Sequence, residues 1–308
     1  MTPVASANSA LARWIRRQLA ADPPRAPSLI VTIWGDWVAP HRDELWLATL
    51  FRLVAPFGIN ERTVRTGMFR LARGGWLQAR AIGRRSRYRL TAAGAEGFDR
   101  AFHRVYDLPF MPWDGEWEGV AASTTLAANS HRRLRDELAW AGYGRFGAGL
   151  YLRPARGDGA AERIARALGL VDAVTGFAAR DAVDEALPGL GRRAEAVWSL
   201  GTIAGDYRQF LARFGGIRPA LARADLEQAY VVRTLLVHAY RRLRLRDPQL
   251  PREVLSPDWP GAPAYTLART LYRATQVRGG RFVRDVFAAG GEPASPHREP
   301  PSRFTQPV

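Results

Sequence analysis

Asn60-Glu-Arg-Thr-Val-Arg-Thr-Gly-Met-Phe-Arg-Leu-Ala-Arg-Gly-Gly75 is the stretch from which the rest of the chain can be read. Asn60 is a suitable N-cap, and Val64, Met68 and Leu71 recur at i, i+4 and i+7, so the spacing predicts a helix to about Arg73 that Gly74-Gly75 stops. Arg62, Thr63, Arg65, Thr66 and Arg70 then fall on or near its open side. Downstream, Trp76-Leu-Gln-Ala-Arg80 and Arg87-Tyr-Arg-Leu90 read as two strands flanking Gly83-Arg84-Arg85-Ser86, a basic hairpin. Upstream, Ser28 to Val38 and Glu44 to Val54 have helical spacing, and Pro56-Phe-Gly58 makes a short turn. Helix, tight turn, helix and basic hairpin follow the order of a winged helix-turn-helix. In that arrangement the second helix offers arginine to guanine edges in the major groove, while Arg84, Arg85, Ser86 and Arg87 at the wing contact phosphates. The competing reading is a solvated basic hairpin on an enzyme surface.

Charge supports the first reading. The 308 residues carry a formal net charge of +16, and all 45 basic residues are arginine. Coding bias can favour arginine over lysine without any function, but it does not concentrate charge. Residues 60 to 90 hold nine arginines against a single acid, Glu61, which points to a polyanionic partner. The absence of cysteine removes disulfides, thiolate metal sites and cysteine nucleophiles, and suits a cytoplasmic setting. The five histidines lie too far apart for a helical metal pair, so no metal is expected. The longest apolar stretch, Leu29 to Ala39, is interrupted by Gly35-Asp36 and is too short to span a membrane.

A chain of this length exceeds what one core usually holds. Residues 1–26 read as a flexible extension containing a short amphipathic piece, Leu11 to Leu19, and residues 27–107 as the winged-helix domain. Residues 108–185 alternate strand-like segments (Trp117 to Ser123, Phe146 to Leu152, Ala173 to Ala178) with helices (Asn129 to Trp140, Ala160 to Leu168), as in a ferredoxin-like domain. Residues 186–289 read as a helical C-terminal domain interrupted by prolines, and residues 290–308 as a disordered tail. The fold class is α+β.

Several of these segments resemble one family. Ser28-Leu-Ile-Val-Thr, Gly35-Asp-Trp-Val, Pro56-Phe-Gly-Ile-Asn-Glu-Arg-Thr-Val-Arg-Thr, Gly75-Trp-Leu and Gly83-Arg-Arg-Ser-Arg-Tyr-Arg-Leu-Thr are similar to the winged helix of the PaaX family, repressors of phenylacetate-degradation operons. Arg241-Arg-Leu-Arg-Leu-Arg-Asp-Pro-Gln-Leu-Pro and Ser256-Pro-Asp-Trp-Pro-Gly resemble that family's C-terminal signature. The resemblance implies a central domain like the Cas2 nuclease fold, a homodimer on double-stranded operator DNA, and release when phenylacetyl-CoA binds. An acyl-CoA needs cations for its phosphates and an aromatic slot for a phenyl ring. His238, Arg241 and Arg242 share a helix face and Trp259 follows the proline-rich turn, so these four form the expected effector site. Against that stand a core histidine and arginines that are solvated or paired with Asp247 and Glu253.

Other signals look catalytic. Gly142-Tyr-Gly-Arg-Phe-Gly147 matches G-x-G-x-x-G but follows a helical segment, whereas a dinucleotide site needs it between strand and helix, so no cofactor is expected. The alternative function is an enzyme with a nuclease-like central domain and a basic nucleic-acid-binding accessory domain. A metal-dependent nuclease would want an aspartate at the end of the first central strand, where Ala121-Ala-Ser123 stands; Asp114 and Glu116 precede it. Asp247 and Asp258 lie beside prolines and read as turn residues more readily than as an acid–base pair.

Overall fold

Ser9 accepts a hydrogen bond from the Ala12 amide and opens helix α1 (Ala10–Ala21), whose apolar stripe Leu11, Trp14 and Ile15 is buried. The computed structural model describes residues 9–110, 112–181, 189–293 and 303–304. Residues 9 to 26 are therefore not a loose extension. The Trp14 indole donates to the Arg213 carbonyl at 3.2 Å and meets Phe214 edge-on at 5.5 Å, and burying that ring holds the helix down. Residues 1–8 lie outside the described residues.

By contact the described chain forms two compact units, 1–107 with 210–242 and 265–308, and 108–209 with 243–264. The helices read in sequence as a separate C-terminal block are thus shared between the two.

In the first unit α2 (Ala26–Ile33) widens into a π-helical turn (Trp34–Val38). Leu29, Ile30, Ile33, Trp34 and Trp37 are buried there together with the carboxylate of Asp36. Strand β1 (Glu44–Trp46) precedes α3 (Leu47–Val54), so the single helix expected from Glu44 to Val54 begins three residues late. The cause is pairing: Glu44, Leu45 and Trp46 stand opposite Arg89, Tyr88 and Arg87 in an antiparallel ladder. A 3-10 turn (Ala55–Phe57) leads to Gly58 at φ +71°, a conformation glycine takes without strain. Helix α4 (Glu61–Arg73) follows, then β2 (Leu77–Ile82), β3 (Arg85–Leu90) and α5 (Ala92–Tyr106). The three strands order as β1-β3-β2.

In the second unit an antiparallel sheet of order β5-β6-β4-β7 is built from β4 (Glu116–Ala122), β5 (Gly144–Gly147), β6 (Leu150–Pro154) and β7 (Val174–Arg180). The one strand expected at Phe146 to Leu152 is two, because Gly149 at φ +71° turns the chain back. Helices α6 (Ala128–Trp140) and α7 (Ala160–Leu168) cover the sheet through Leu134, Leu138 and Ile164, which pack with Val120 and Tyr151. A Cβ on Gly119 would sit 2.2 Å from the Phe177 ring, so a larger residue there would have to push that partly exposed ring aside.

The remaining helices are α8 (Ala194–Trp198), α9 (Leu200–Phe214), α10 (Arg218–Leu221), α11 (Leu226–Arg246) and α12 (Gly261–Ala289). Within the tail expected to be disordered, the Glu292 side chain is fully buried in ion pairs, and Arg303 and Phe304 are buried too. Residues 294–302 and 305–308 lie outside the described residues. No described helix is long and apolar enough to cross a membrane.

Candidate nucleic-acid interface

The capping signal at Asn60 works as its chemistry requires: Oδ1 accepts the Thr63 amide at 2.9 Å and satisfies one of the free donors of the first turn. Val64, Gly67 and Met68 turn inward, where a Cβ on Gly67 would lie 3.0 Å from the Ile30 side chain, so α4 packs closely on α2. That packing leaves Arg62, Thr63, Arg65, Thr66 and Arg70 exposed together, as the spacing predicted. Their constraints are light. Arg65 pairs with Glu61 at 3.3 Å across one exposed helical turn and lies over the Phe51 ring at 4.8 Å, and the Thr66 hydroxyl donates to the Arg62 carbonyl. An exposed pair of this kind is worth about 0.5 kcal/mol, so Arg65 is easily redirected to a ligand.

The ribbon divides the expected wing residues into two kinds. Arg84 is exposed at the Gly83–Arg84 turn, and Ser86 is half-buried on β3. Arg87 is largely buried, and Arg85, although exposed, also has partners within the unit. Arg85 donates to the Gly290 carbonyl at 3.2 Å and lies 4.0 Å over the Trp46 ring. Arg87, with a side chain only 12% exposed, bonds Glu44 at 2.6 Å and Glu292 at 3.3 Å. Glu292 also takes Arg42 at 3.2 Å and the Trp46 amide at 2.9 Å. The end of α12 is thereby clamped to the ribbon. The sequence offers little sign of this clamp, since Glu292 lies some two hundred residues from its partners in a stretch that reads as tail.

The expected effector residues occupy different settings. His238 Nδ1 lies 2.9 Å from Thr32 Oγ1, and Arg241 donates from Nε to the same hydroxyl and from NH2 to the Ser28 carbonyl and hydroxyl, each at 2.8 Å. Burial, reinforced by Arg241 and Arg242, pushes the His238 imidazole down to about 3, so the ring is neutral. Burial likewise lowers Arg241 to about 10, which still leaves it charged at neutral pH. Both side chains fasten α11 to α2. Arg242 is exposed, 3.9 Å from Asp22. Trp259 is buried in the second unit against Tyr207, ring centroids 6.0 Å apart.

A second constellation was not expected from sequence. Asp36, fully buried, accepts Arg233 at 2.9 and 3.1 Å and Arg303 at 2.7 Å, with the Tyr106 hydroxyl at 3.3 Å and the Tyr272 hydroxyl at 3.4 Å from Oδ1. Burial by itself would raise this carboxyl, but the two guanidiniums outweigh it and hold it below the usual range. Arg233 is sandwiched between the Trp37 and Tyr272 rings, 3.8 Å from each. The one available signal was an acid inside the longest apolar run.

The residues that looked catalytic have separate partners in the second unit. Asp114 accepts the Glu116 amide at 3.0 Å, and Glu116 pairs with Arg180 at 2.7 Å. Asp247 accepts from the Tyr207 hydroxyl at 2.6 Å and the Gln249 amide at 2.7 Å, whereas Asp258 accepts from Arg208 and Ser256. Gly142 follows α6 and precedes β5, so the glycine motif stands between helix and strand. Among the described residues no group of three or more His, Cys, Asp or Glu is placed to hold a metal.

Comparison with known proteins bears on all three sequence blocks. Residues 25–94 match the PaaX-like protein family, residues 111–190 the PaaX protein central Cas2-like domain, and residues 198–285 the PaaX-like protein C-terminal domain. The Transcriptional repressor PaaX of Escherichia coli (strain K12) is 31% identical over 281 residues, covering 90% of this chain and 89% of that protein. Among solved structures, the uncharacterized protein Rv0674 from Mycobacterium tuberculosis aligns with TM-score 0.48 and 25% identity over 77% of this chain and 90% of the other. With its three blocks matched in order and a relative aligned over nine-tenths of its length, this chain belongs to the PaaX family.

Proposed function

We propose that the chain is a DNA-binding transcriptional repressor, not an enzyme, acting in the cytoplasm. The observation that carries this is the exposed face of α4, where three arginines and two threonines share one side of a capped helix beside a basic ribbon. We read α3, the turn at Gly58 and α4 with the β2–β3 ribbon as a winged helix-turn-helix, with α4 in the major groove and Arg62 and Arg65 against base edges. Arg84 at the ribbon tip contacts phosphate. Kinship with a repressor over nine-tenths of the chain supports the same reading.

The second unit we read as ferredoxin-like, and the working form as a homodimer, because two-fold symmetry lets two half-sites multiply a discrimination that one helix makes over few base pairs. The effector, on the resemblance seen in the sequence, is an aryl-acyl-CoA such as phenylacetyl-CoA. Arg242 at the surface is the residue of the expected site best placed to meet a phosphate. Release needs only that the thioester bind the DNA-incompetent form better by a few kcal/mol.

The test is fluorescence anisotropy on a duplex selected from a random library, with and without phenylacetyl-CoA. Salt-dependent, sequence-selective binding that phenylacetyl-CoA reverses and acetyl-CoA does not is the expected result. Binding without sequence preference overturns the repressor reading, and indifference to the thioester overturns the effector.

A further inference from the structure

Phe69 is the most exposed aromatic side chain among the described residues, with 61% of its surface in solvent. It sits on α4, whose buried positions are Val64, Gly67 and Met68. At 3.6 residues per turn it lies within about 20° of Arg62 and about 40° of Arg73 round the helix axis, on the side turned away from those three. Arg65 and Thr66 flank this line, and all of these outward residues are exposed. Phe69 therefore stands in the middle of the face already described, between its arginines.

A single apolar side chain on a surface is ordinary. Two observations set this one apart. First, the fold makes little use of it. No other aromatic ring packs on Phe69 among the described residues, and the Arg73 guanidinium stands over it at 5.9 Å, near the outer limit of a useful cation–ring contact. Trp76, just past the helix, differs: it meets Phe98 edge-on at 5.9 Å and lies against Gly97, so its exposure is what packing leaves over. Second, the surroundings are cationic, with Arg62, Arg65, Arg70 and Arg73 against the single acid Glu61. An apolar partner settling on the ring would have to strip water from these guanidiniums without replacing it. Duplex DNA meets both needs. Phosphates and guanine edges take the arginines, and the apolar group that a base pair presents in the major groove is the C5-methyl of thymine.

We propose that Phe69 is a specificity-determining residue that seats its ring on a thymine C5-methyl, so that the preferred half-site carries thymine beside the positions the arginines read. The assignment rests on α4 being the helix that enters the groove. Cytosine at the same step offers an N4 amino donor and no methyl, and a ring laid over that donor removes its water without accepting its hydrogen bond. The contact therefore selects T over C on one strand.

The experiment remakes the duplex selected by the parent chain with each thymine replaced singly by deoxyuridine, which pairs as thymine does and lacks only the methyl. Affinities of the parent, Phe69→Ala and Phe69→Leu are read by anisotropy, with thermal melts beside them. At one thymine of a half-site, loss of the methyl is expected to weaken the parent about fourfold, to leave Phe69→Ala within about 1.5-fold of its own affinity for the unmodified duplex, and to weaken Phe69→Leu by an amount between the two. A selected half-site without thymine, a parent indifferent to every methyl, or a Phe69→Ala variant that pays the same cost as the parent overturns the proposal while leaving the repressor reading intact. A parent that selects no sequence overturns both. The scan on the parent needs no variant, so the proposal stays falsifiable if either substitution fails to fold.

Discussion

The exposed face of α4 and the buried centre at Asp36 use the same side chain in opposite ways. On α4, Arg62, Arg65 and Arg70 stand in solvent, and the one ion pair there links two groups more than half exposed. At Asp36 two guanidiniums are taken out of water, hydrogen-bonded on several sides and stacked on rings. An exposed arginine contributes little to folding and is available to a polyanion, whereas a buried one is committed to the fold and costly to leave unpaired. In a chain whose basic residues are all arginine, charge count cannot separate these roles; burial does.

The comparison breaks most visibly at its acid. Asp36→Asn leaves Arg233 and Arg303 buried without a counter-charge, and is expected to lower the unfolding free energy by about 3–5 kcal/mol in urea titrations. Glu61→Gln, which removes the exposed partner of Arg65, should stay within about 0.5 kcal/mol of the parent. Equal effects from the two would erase the distinction.

Acid sharpens the same contrast. His238 is neutral in the fold down to about 3, against an unfolded value near 6.5. Below 6.5 the unfolded chain takes up a proton that the folded chain refuses, so stability falls as pH drops toward 3, by a limit on the order of 4 kcal/mol. Asp36, with its lowered carboxyl, adds a loss only as that carboxylate is protonated at the acid end. His238→Gln should flatten the decline between pH 6.5 and 4, and parallel melting curves for parent and variant across that range would contradict the assignment.

The smallest effects separate two neighbours on the ribbon. Arg87→Ala strips partners from Glu44 and Glu292 and should cost about 2 kcal/mol of stability. Arg84→Ala should leave the melting temperature alone, weaken all DNA sequences alike, and make the salt dependence shallower by about one unit. A destabilised Arg84 variant with unchanged salt dependence would reverse the division.

What sequence could reveal follows from how local the cause is. Helix α4 was legible almost to the residue, since its cap, its apolar spacing and its glycine stop lie within one segment. The exposed arginine and threonine face followed from the same period. Strand β1 was hidden because Glu44 to Trp46 take extended form only through pairing with β3, and that pairing overrides helical spacing. The hairpin at Gly149 read as one strand because a single glycine in apolar surroundings does not announce a reversal. Arg85, Arg87, Asp36 and Phe304 were the least legible. Their partners lie from about thirty to more than two hundred and fifty residues away, and neither spacing nor composition encodes such distances. Amphipathic spacing in Leu11 to Leu19 did contain the signal for α1, but the neighbouring prolines and the terminal position outweighed it.

The measurement that bears most directly on the central claim is the affinity of Arg62→Ala/Arg65→Ala/Arg70→Ala for the selected duplex, taken beside its thermal melt. If α4 reads DNA with a face that the fold does not need, binding falls about a hundredfold or more while the melting temperature stays within a few degrees of the parent. Unchanged affinity in a folded triple variant would contradict it.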